Sequence, residues 1–146
     1  MNNYKKNTKS LYIGDCQVGG NSNISVQSMT KTPTSDVSKT LNQILSLHEN
    51  GCDIIRCGVP DQESAIALKE IVKNSPIPVI ADIHFHYELA LQAIESGVNG
   101  LRLNPGNIRD KTKITDIVRN ANKKNIPIRI GVNFGSLPPV GSIGKT

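Results

Sequence analysis

The residues of this chain that are best suited to chemistry sit in or just after short apolar, β-branched segments. They are Arg56, Asp82, His84, Arg102, Asn104, Arg129 and Asn133. Side chains two positions apart on a strand share a face, so the residues of each segment are expected on one side of their strand. Three guanidinium groups brought together are costly without an anion, whereas a diphosphate accepts paired hydrogen bonds from each of them. The pattern predicts a site for a polyanion.

A simpler interpretation of the arginines is that they pair with carboxylates of the same domain. Arg56 lies within an apolar strand, and the only acid close to it in the sequence is Asp53. If Arg56 points inward, we therefore expect it to need an added anion.

The other polar residues also have more than one interpretation. Asp82, His84 and His86 occupy every second position, so on a strand they would lie on one face, as a set of metal ligands would. The Asn104-Pro105-Gly106-Asn107 sequence favours a tight turn whatever the ligand, and such a turn before a helix also suits phosphate. The hydroxyls of Ser28 and Thr30 are secondary candidates for ligand contacts, and Gly131 is interpreted as a residue required for backbone geometry.

Composition limits the classes of partner. The chain has 146 residues, 37% of them hydrophobic and 20% charged, as expected for one globular domain. The net charge of +5 is modest, and there is no Trp, two Phe and three Tyr, so nucleic-acid binding is not expected. The sequence shows no long apolar segment and no signal-like leader, so we expect neither a membrane span nor secretion.

The three cysteines, Cys16, Cys52 and Cys57, are odd in number and form no CxxC pair. This argues against a disulfide framework and against a self-contained metal site. We expect a reduced, cytoplasmic protein.

Apolar segments begin near residues 24, 53, 78, 100 and 127, and helical patterns lie between them. This repeat of strand and helix predicts a parallel sheet covered by helices, and polar groups at successive strand ends favour a (β/α)8 TIM barrel over an open sheet. Helices are expected to begin after Ser35, Asp61 and Asp110, and to end at Gly51 and Gly97.

The predicted α/β domain is a partial TIM barrel of about five βα units, preceded by a small hairpin at 11–20 that caps its amino-terminal end. Residues 1–10 are expected to be flexible, 11–137 to form the incomplete barrel, and 138–146 to be a tail. Because a barrel needs eight strands, three units are expected to be missing and the first and last strands to have open edges. We therefore expect marginal stability as a monomer.

Five segments of the chain closely resemble one enzyme family, the 4-hydroxy-3-methylbut-2-enyl diphosphate synthases of the methylerythritol phosphate route to isoprenoids. They are VQSMTKT at 26–32, DIIRCGVP at 53–60, PVIADIHFHYELAL at 78–91, GLRLNPGNI at 100–108 and IPIRIGVNFGSL at 126–137. Blocks such as ADIHF, RLNPGN and RIGVN in this order are far more specific than one short motif.

The resemblance implies a barrel that binds 2-C-methyl-D-erythritol 2,4-cyclodiphosphate and a separate carboxyl-terminal domain with a [4Fe-4S] cluster that receives electrons from ferredoxin or flavodoxin. It also implies a homodimer in the complete enzyme. The cluster domain and its ligands are expected to be absent from this chain. The residues that match the family's substrate-binding positions are Arg56, Arg102, Asn104, Arg129 and Asn133. Asp82 and His84 match its DIH element and are the candidate catalytic residues.

Two alternatives remain beside this interpretation. The chain could be another phosphate-binding TIM-barrel enzyme, for example one of a pterin or aldolase type, or an inactive fragment. By itself the chain is expected to be inactive.

Overall fold

The computed structural model describes residues 8–104, 106–108 and 110–132. An antiparallel hairpin of β1 (Leu11–Ile13) and β2 (Cys16–Val18) comes first. Strands and helices then alternate in the described residues as β3 (Gln27–Met29), α1 (Val37–Glu49), β4 (Ile54–Val59), α2 (Gln62–Asn74), β5 (Val79–Ile83), α3 (Tyr87–Glu95), β6 (Gly100–Leu103), α4 (Lys111–Lys123) and β7 (Ile128–Ile130).

The strands from β3 to β7 form one sheet in their chain order, and every neighbouring pair is parallel. This confirms the predicted α/β architecture of a partial barrel with a preceding hairpin. The first strand of this sheet, β3, begins at Gln27 rather than near residue 24, because the backbone N–H of Val26 donates to the Asp53 carboxylate instead of to a neighbouring strand.

The two faces of the sheet differ in chemistry. One face packs against the helices and supplies the apolar core, with Ile55, Cys57 and Val59 of β4 beside helical residues such as Ile44 and Leu68. Because side chains alternate along a strand, the intervening residues point to the opposite face. That inner face carries the charged residues of the repeat.

The sheet is strongly curled about its inner face. In a flat sheet, strands about 4.8 Å apart would place the first and fifth roughly 19 Å from each other. Here Arg129 of β7 donates a 3.1 Å hydrogen bond from Nη1 to Oε1 of Gln27 in β3. The outermost strands therefore approach each other across the inner face, as in a barrel wall.

Aspartates begin three of the helices. Asp61 and Asp110 cap α2 and α4 as predicted, each accepting a hydrogen bond from a backbone N–H of the first turn. The prediction for α1 was wrong by one residue, since Asp36 rather than Ser35 accepts from the backbone N–H of Lys39. These caps satisfy donors that have no partner within the helix.

Left-handed residues end three helices. Gly51 and Gly97 follow α1 and α3 with φ of 87° and 83°, which confirms their predicted role. Asn125 has φ of 55° after α4 and performs the same role without being a glycine.

The hairpin lies at the amino-terminal end of the sheet, as predicted. A Cβ placed on Gly14 would lie 3.0 Å from Pro78 and 3.1 Å from Asn99, the residues that precede β5 and β6. A cavity of about 420 Å³ separates the hairpin from the inner face and reaches Gln27 and Arg129.

Several predictions fall on positions that the structure does not describe. They concern residues 1–7 of the amino-terminal segment, Pro105, Asn133 and the tail at 138–146. The described part of the amino-terminal segment contacts the hairpin, because the hydroxyls of Thr8 and Ser10 accept hydrogen bonds from Gly20 and Gln17. Among the described residues, no helix is both long and apolar enough to cross a membrane.

The burial of the cysteines predicts their reactivity. Burial raises the pKa of the Cys57 thiol to about 11, with a smaller opposing effect of the Thr30 hydroxyl, and Cys52 is also buried. Burial also raises the pKa of the Cys16 thiol, but Cys16 is only partly buried, so a thiol reagent at pH 8 should modify Cys16 first and the other two only after unfolding in urea. A Cys16→Ser variant should lose the early phase, and rapid modification of all three thiols in the folded chain would contradict this prediction.

Candidate functional site

A buried carboxylate connects the charged residues of the inner face. Asp82 of β5 is 2% exposed. Its Oδ2 lies 3.3 Å from Nε of Arg56, and its Oδ1 lies 3.1 Å from Nη1 of Arg102 and 3.4 Å from Nε2 of His84. We call these four residues the Asp82 cluster.

Strand register explains why these side chains meet. Asp82 is aligned with Gly58 of β4 on one side and with Arg102 of β6 on the other. Arg56 precedes Gly58 by two positions, so its side chain shares that face. The middle strand therefore presents a carboxylate between two guanidinium groups.

The expectation that Arg56 needs an added anion was wrong only in part, because its buried Nε has a carboxylate within ion-pair distance but no hydrogen-bond partner among the described residues. Its counter-anion is Asp82, which is distant in the sequence but adjacent in the sheet. The simpler interpretation, pairing within the domain, therefore holds for Arg56 and Arg102. One carboxylate offsets only one of these two positive charges, so the cluster stays positive and suited to an anionic ligand.

The third arginine lies apart from the cluster. Arg129 is the register partner of Arg102 and shares its face, but its guanidinium is exposed and bonds to Gln27 toward the amino-terminal cavity. The structure thus brings together two of the three predicted arginines.

His84 is the most accessible member of the Asp82 cluster. Its side chain is 47% exposed and its ring meets that of Phe85 edge to face, with centroids 6.1 Å apart. Phe85 itself is 66% exposed. The imidazole thus lies beside a carboxylate at one nitrogen, while nearly half of the His84 side chain is exposed.

His86 does not join the cluster. It occupies the N-cap position of α3, is exposed and makes no capping hydrogen bond through its side chain. In the described ranges, no three His, Cys, Asp or Glu side chains lie close enough to hold a metal ion. The metal interpretation of Asp82, His84 and His86 therefore has no ligand set there.

Asn104 shapes the turn that follows β6. It is buried, its Oδ1 accepts from the backbone N–H of Gly106, and its carbonyl accepts from the N–H groups of Asn107 and Ile108. These bonds confirm the tight turn that the sequence predicts. Asn133 lies outside the described residues.

Neither of the hydroxyl candidates lies in the Asp82 cluster. Ser28 is aligned with Ile55, whose side chain faces the helices. Thr30 lies two positions further along the same strand direction and is buried, and its hydroxyl acts on the pKa of Cys57 on the helix-facing side.

Sequence reasoning missed two neighbours of the arginines. Nη2 of Arg56 lies 3.2 Å from the Met29 sulfur, and Nη2 of Arg102 donates a 2.9 Å hydrogen bond to the Gly131 carbonyl. Both neighbours sit at strand ends within the segments that suggested the site, but Met29 carries no charge and Gly131 contributes only its backbone carbonyl. Only adjacency in the sheet identifies them.

The Asp82 cluster makes a prediction about stability. Asp82→Asn keeps the volume but removes the charge that compensates two buried or half-buried guanidinium groups, so the free energy of unfolding should fall by about 3 kcal/mol. Urea denaturation followed by circular dichroism measures it. The matched change Asp116→Asn, in an exposed pair with Arg119, should have little effect. Equal stability of the two variants would show that Asp82 does not carry this compensation.

Comparison with known proteins agrees with the fold. The chain is 54% identical over 134 residues to a protein of Malacoplasma penetrans and 55% identical over 133 residues to one of Sulfurihydrogenibium sp., both named 4-hydroxy-3-methylbut-2-en-1-yl diphosphate synthase (flavodoxin). These matches cover 92% and 91% of this chain but only 37% and 38% of the relatives. The chain therefore spans well under half the length of these relatives.

Among solved structures, the dihydropteroate synthase of Vibrio fischeri has a similar fold, with a TM-score of 0.62 at 14% sequence identity over 84% of this chain and 48% of that one. Residues 8–141 match the model of the GcpE TIM-barrel domain. This match and the relatives confirm the resemblance seen in the sequence blocks, and the chain belongs to the GcpE family.

Proposed function

We propose that this chain is the substrate-binding part of an enzyme that converts 2-C-methyl-D-erythritol 2,4-cyclodiphosphate to 4-hydroxy-3-methylbut-2-enyl diphosphate in isoprenoid biosynthesis. The observation that carries the proposal is the Asp82 cluster, a net positive group on the inner face of β4, β5 and β6, toward the carboxyl ends of β5 and β6. In barrels of this kind the carboxyl ends of the strands form the active site. The names of the relatives supply the substrate class.

The proposed substrate matches the charge of the cluster. Arg56 and Arg102 direct guanidinium groups toward the inner face from two different strands, and each can give paired hydrogen bonds to phosphate oxygens. Arg129 lies on the same face and would add a further contact after leaving Gln27. Asn104, directly after β6, and Asn133 stay proposed substrate contacts.

Asp82 acts in this proposal by holding other groups. Its carboxylate is buried and engaged by two arginines and His84, so it fixes their positions before the substrate arrives. Donors that are already positioned lose little freedom on binding and favour the charge distribution of the reacting ligand.

His84 is the proposed proton donor. The reaction opens the cyclic diphosphate and removes a hydroxyl group as water, which takes up an electron pair and two protons. Imidazole can donate and accept protons. His84 lies beside Asp82, which can orient its ring, and nearly half of its side chain is exposed to solvent. Its proposed role is to orient or protonate the leaving oxygen.

The residues of this chain do not fit an iron–sulfur cluster. Such clusters need several cysteine thiolates close together. Cys52 and Cys57 are buried, Cys57 in the apolar core under the helices, and Cys16 lies in the hairpin. We derive no electron-transfer step through these residues, and the [4Fe-4S] cluster implied by the family would be held elsewhere in the complete enzyme.

The remaining partners follow from the same proposal. Flavodoxin, named for the relatives, or ferredoxin would supply electrons to the complete enzyme, which would act as a homodimer. The three free cysteines agree with a reducing cytoplasm.

Binding of the cyclodiphosphate should depend on Arg56. An Arg56→Met variant keeps much of the side-chain volume and leaves the Asp82–Arg102 pair in place, but removes one cation. Because a hydrogen bond to a charged group contributes about 1.5–3 kcal/mol, binding should weaken roughly tenfold to a hundredfold by isothermal titration calorimetry. Arg119→Met, on the exposed face of α4, is the matched control. Equal affinities in both variants, or no binding by the unmodified chain, would refute the proposal.

The chain alone should bind the cyclodiphosphate without reducing it, because its three cysteines do not come together as a cluster site in the described residues. The test incubates the folded chain with the cyclodiphosphate and dithionite and follows the product by mass spectrometry. Product formation by this chain alone would contradict the prediction. Equal affinity for inorganic pyrophosphate and the cyclodiphosphate would instead favour another phosphate-binding enzyme.

A further inference from the structure

The Arg102 side chain is held from two directions. Its Nη1 contacts Oδ1 of Asp82 at 3.1 Å on β5, and its Nη2 donates to the carbonyl of Gly131 at 2.9 Å, just after β7. Arg102 is only 7% exposed. Its guanidinium thus spans from one neighbouring strand to the other across the inner face of β6.

Gly131 gives the guanidinium the space in which it lies. A Cβ placed on Gly131 would be 2.9 Å from Nε, 3.3 Å from Nη2 and 3.5 Å from Cζ of Arg102. The first of these distances is shorter than real carbon contacts allow, so any other residue would displace the side chain. The backbone N–H of Gly131 donates to Leu103, which keeps this close approach within the sheet.

Backbone geometry does not explain this glycine. The described glycines with positive φ are Gly14, Gly19, Gly20, Gly51 and Gly97. Gly131 is not among them, so the interpretation of Gly131 as a residue required for backbone geometry was wrong. Gly131 has to lack a side chain because the Arg102 guanidinium occupies the space where a Cβ would lie.

We infer that Gly131 is a positioning residue for Arg102 and, through it, a determinant of diphosphate affinity. The inference rests on the proposed function, because it assigns Arg102 to the diphosphate. The two described hydrogen bonds of Arg102 occupy one N–H of each Nη, and a guanidinium has five N–H donors in a rigid plane. Fixing two of them fixes the direction of the others. A guanidinium pushed off Gly131 would lose its carbonyl partner and this direction together.

Gly58 is a matched control for Gly131. Both glycines lie on the inner face beside the Asp82 cluster, and Gly58 is aligned with Asp82 itself. A Cβ on Gly58 would meet only the Met29 methyl group at 3.7 Å, which is an ordinary contact. The same chemical change is therefore tolerated at one position and not at the other.

The experiment is a double-mutant cycle on the full chain, with affinity for the cyclodiphosphate measured by calorimetry. Gly131→Ala should weaken binding about tenfold, which corresponds to the loss of one aligned charged hydrogen bond, and Gly58→Ala should change it less than about twofold. In an Arg102→Met background, Gly131→Ala should have less than about a twofold effect, because the displaced group is gone. The inference would be overturned if Gly131→Ala lowered the affinity tenfold in the Arg102→Met background as well, or lowered it in neither background.

A second measurement needs no variant and no ligand. In nitrogen-15 NMR of the unmodified chain, Arg102 should show separate Nη1 and Nη2 signals, because both ends of its guanidinium are held and rotation about Nε–Cζ is slow. Arg119, whose exposed guanidinium makes one contact with Asp116, is the internal control and should show averaged signals. Averaged signals for Arg102 would overturn the inference. Failure of the unmodified chain to bind the cyclodiphosphate would refute the proposed function but leave this test of positioning intact.

Discussion

The described inner face is organised around one buried carboxylate. Burying a charge costs several kcal/mol unless partners compensate it, and Asp82 is compensated by guanidinium groups from the strands on either side. Arg102 in turn depends on Asp82, because it is nearly as buried, whereas Arg56 is partly exposed. The interaction therefore joins three adjacent strands by side chains as well as by their backbone ladder, and it fixes the position of every charged group near it.

This arrangement separates the apolar core from the charged site within the same strands. Along β4, Ile55, Cys57 and Val59 bury apolar surface against the helices, while Arg56 and Gly58 face the other way. Changes on the inner face leave the main apolar core intact, so that face can carry a positive cluster. The cysteines illustrate the same division, because Cys57 lies on the apolar face, where burial raises the pKa of its thiol, and belongs to the core rather than to a redox site.

The curl of the sheet turns separate strand ends into one site. It brings β3 and β7 within reach of a single Arg129–Gln27 hydrogen bond and directs the residues of the middle strands toward a common space. Residues without charge take part in this geometry, since Gly131 leaves room for Arg102 and Met29 contacts Arg56. The proposed diphosphate site is thus a property of the inner face as a whole, with His84 at its open side.

The sequence by itself determined the order of strands and helices, two of the three aspartate caps, the left-handed glycines and the family, because these depend on local periodicity, on capping chemistry and on contiguous motifs. It also identified the charged residues that face inward. It did not determine their partners, because Asp82 and Arg102 are 20 positions apart, Arg102 and Gly131 29, and Gln27 and Arg129 102. Strand register and the curl of the sheet decide those contacts, and with them which arginine is compensated by a carboxylate and which lies apart.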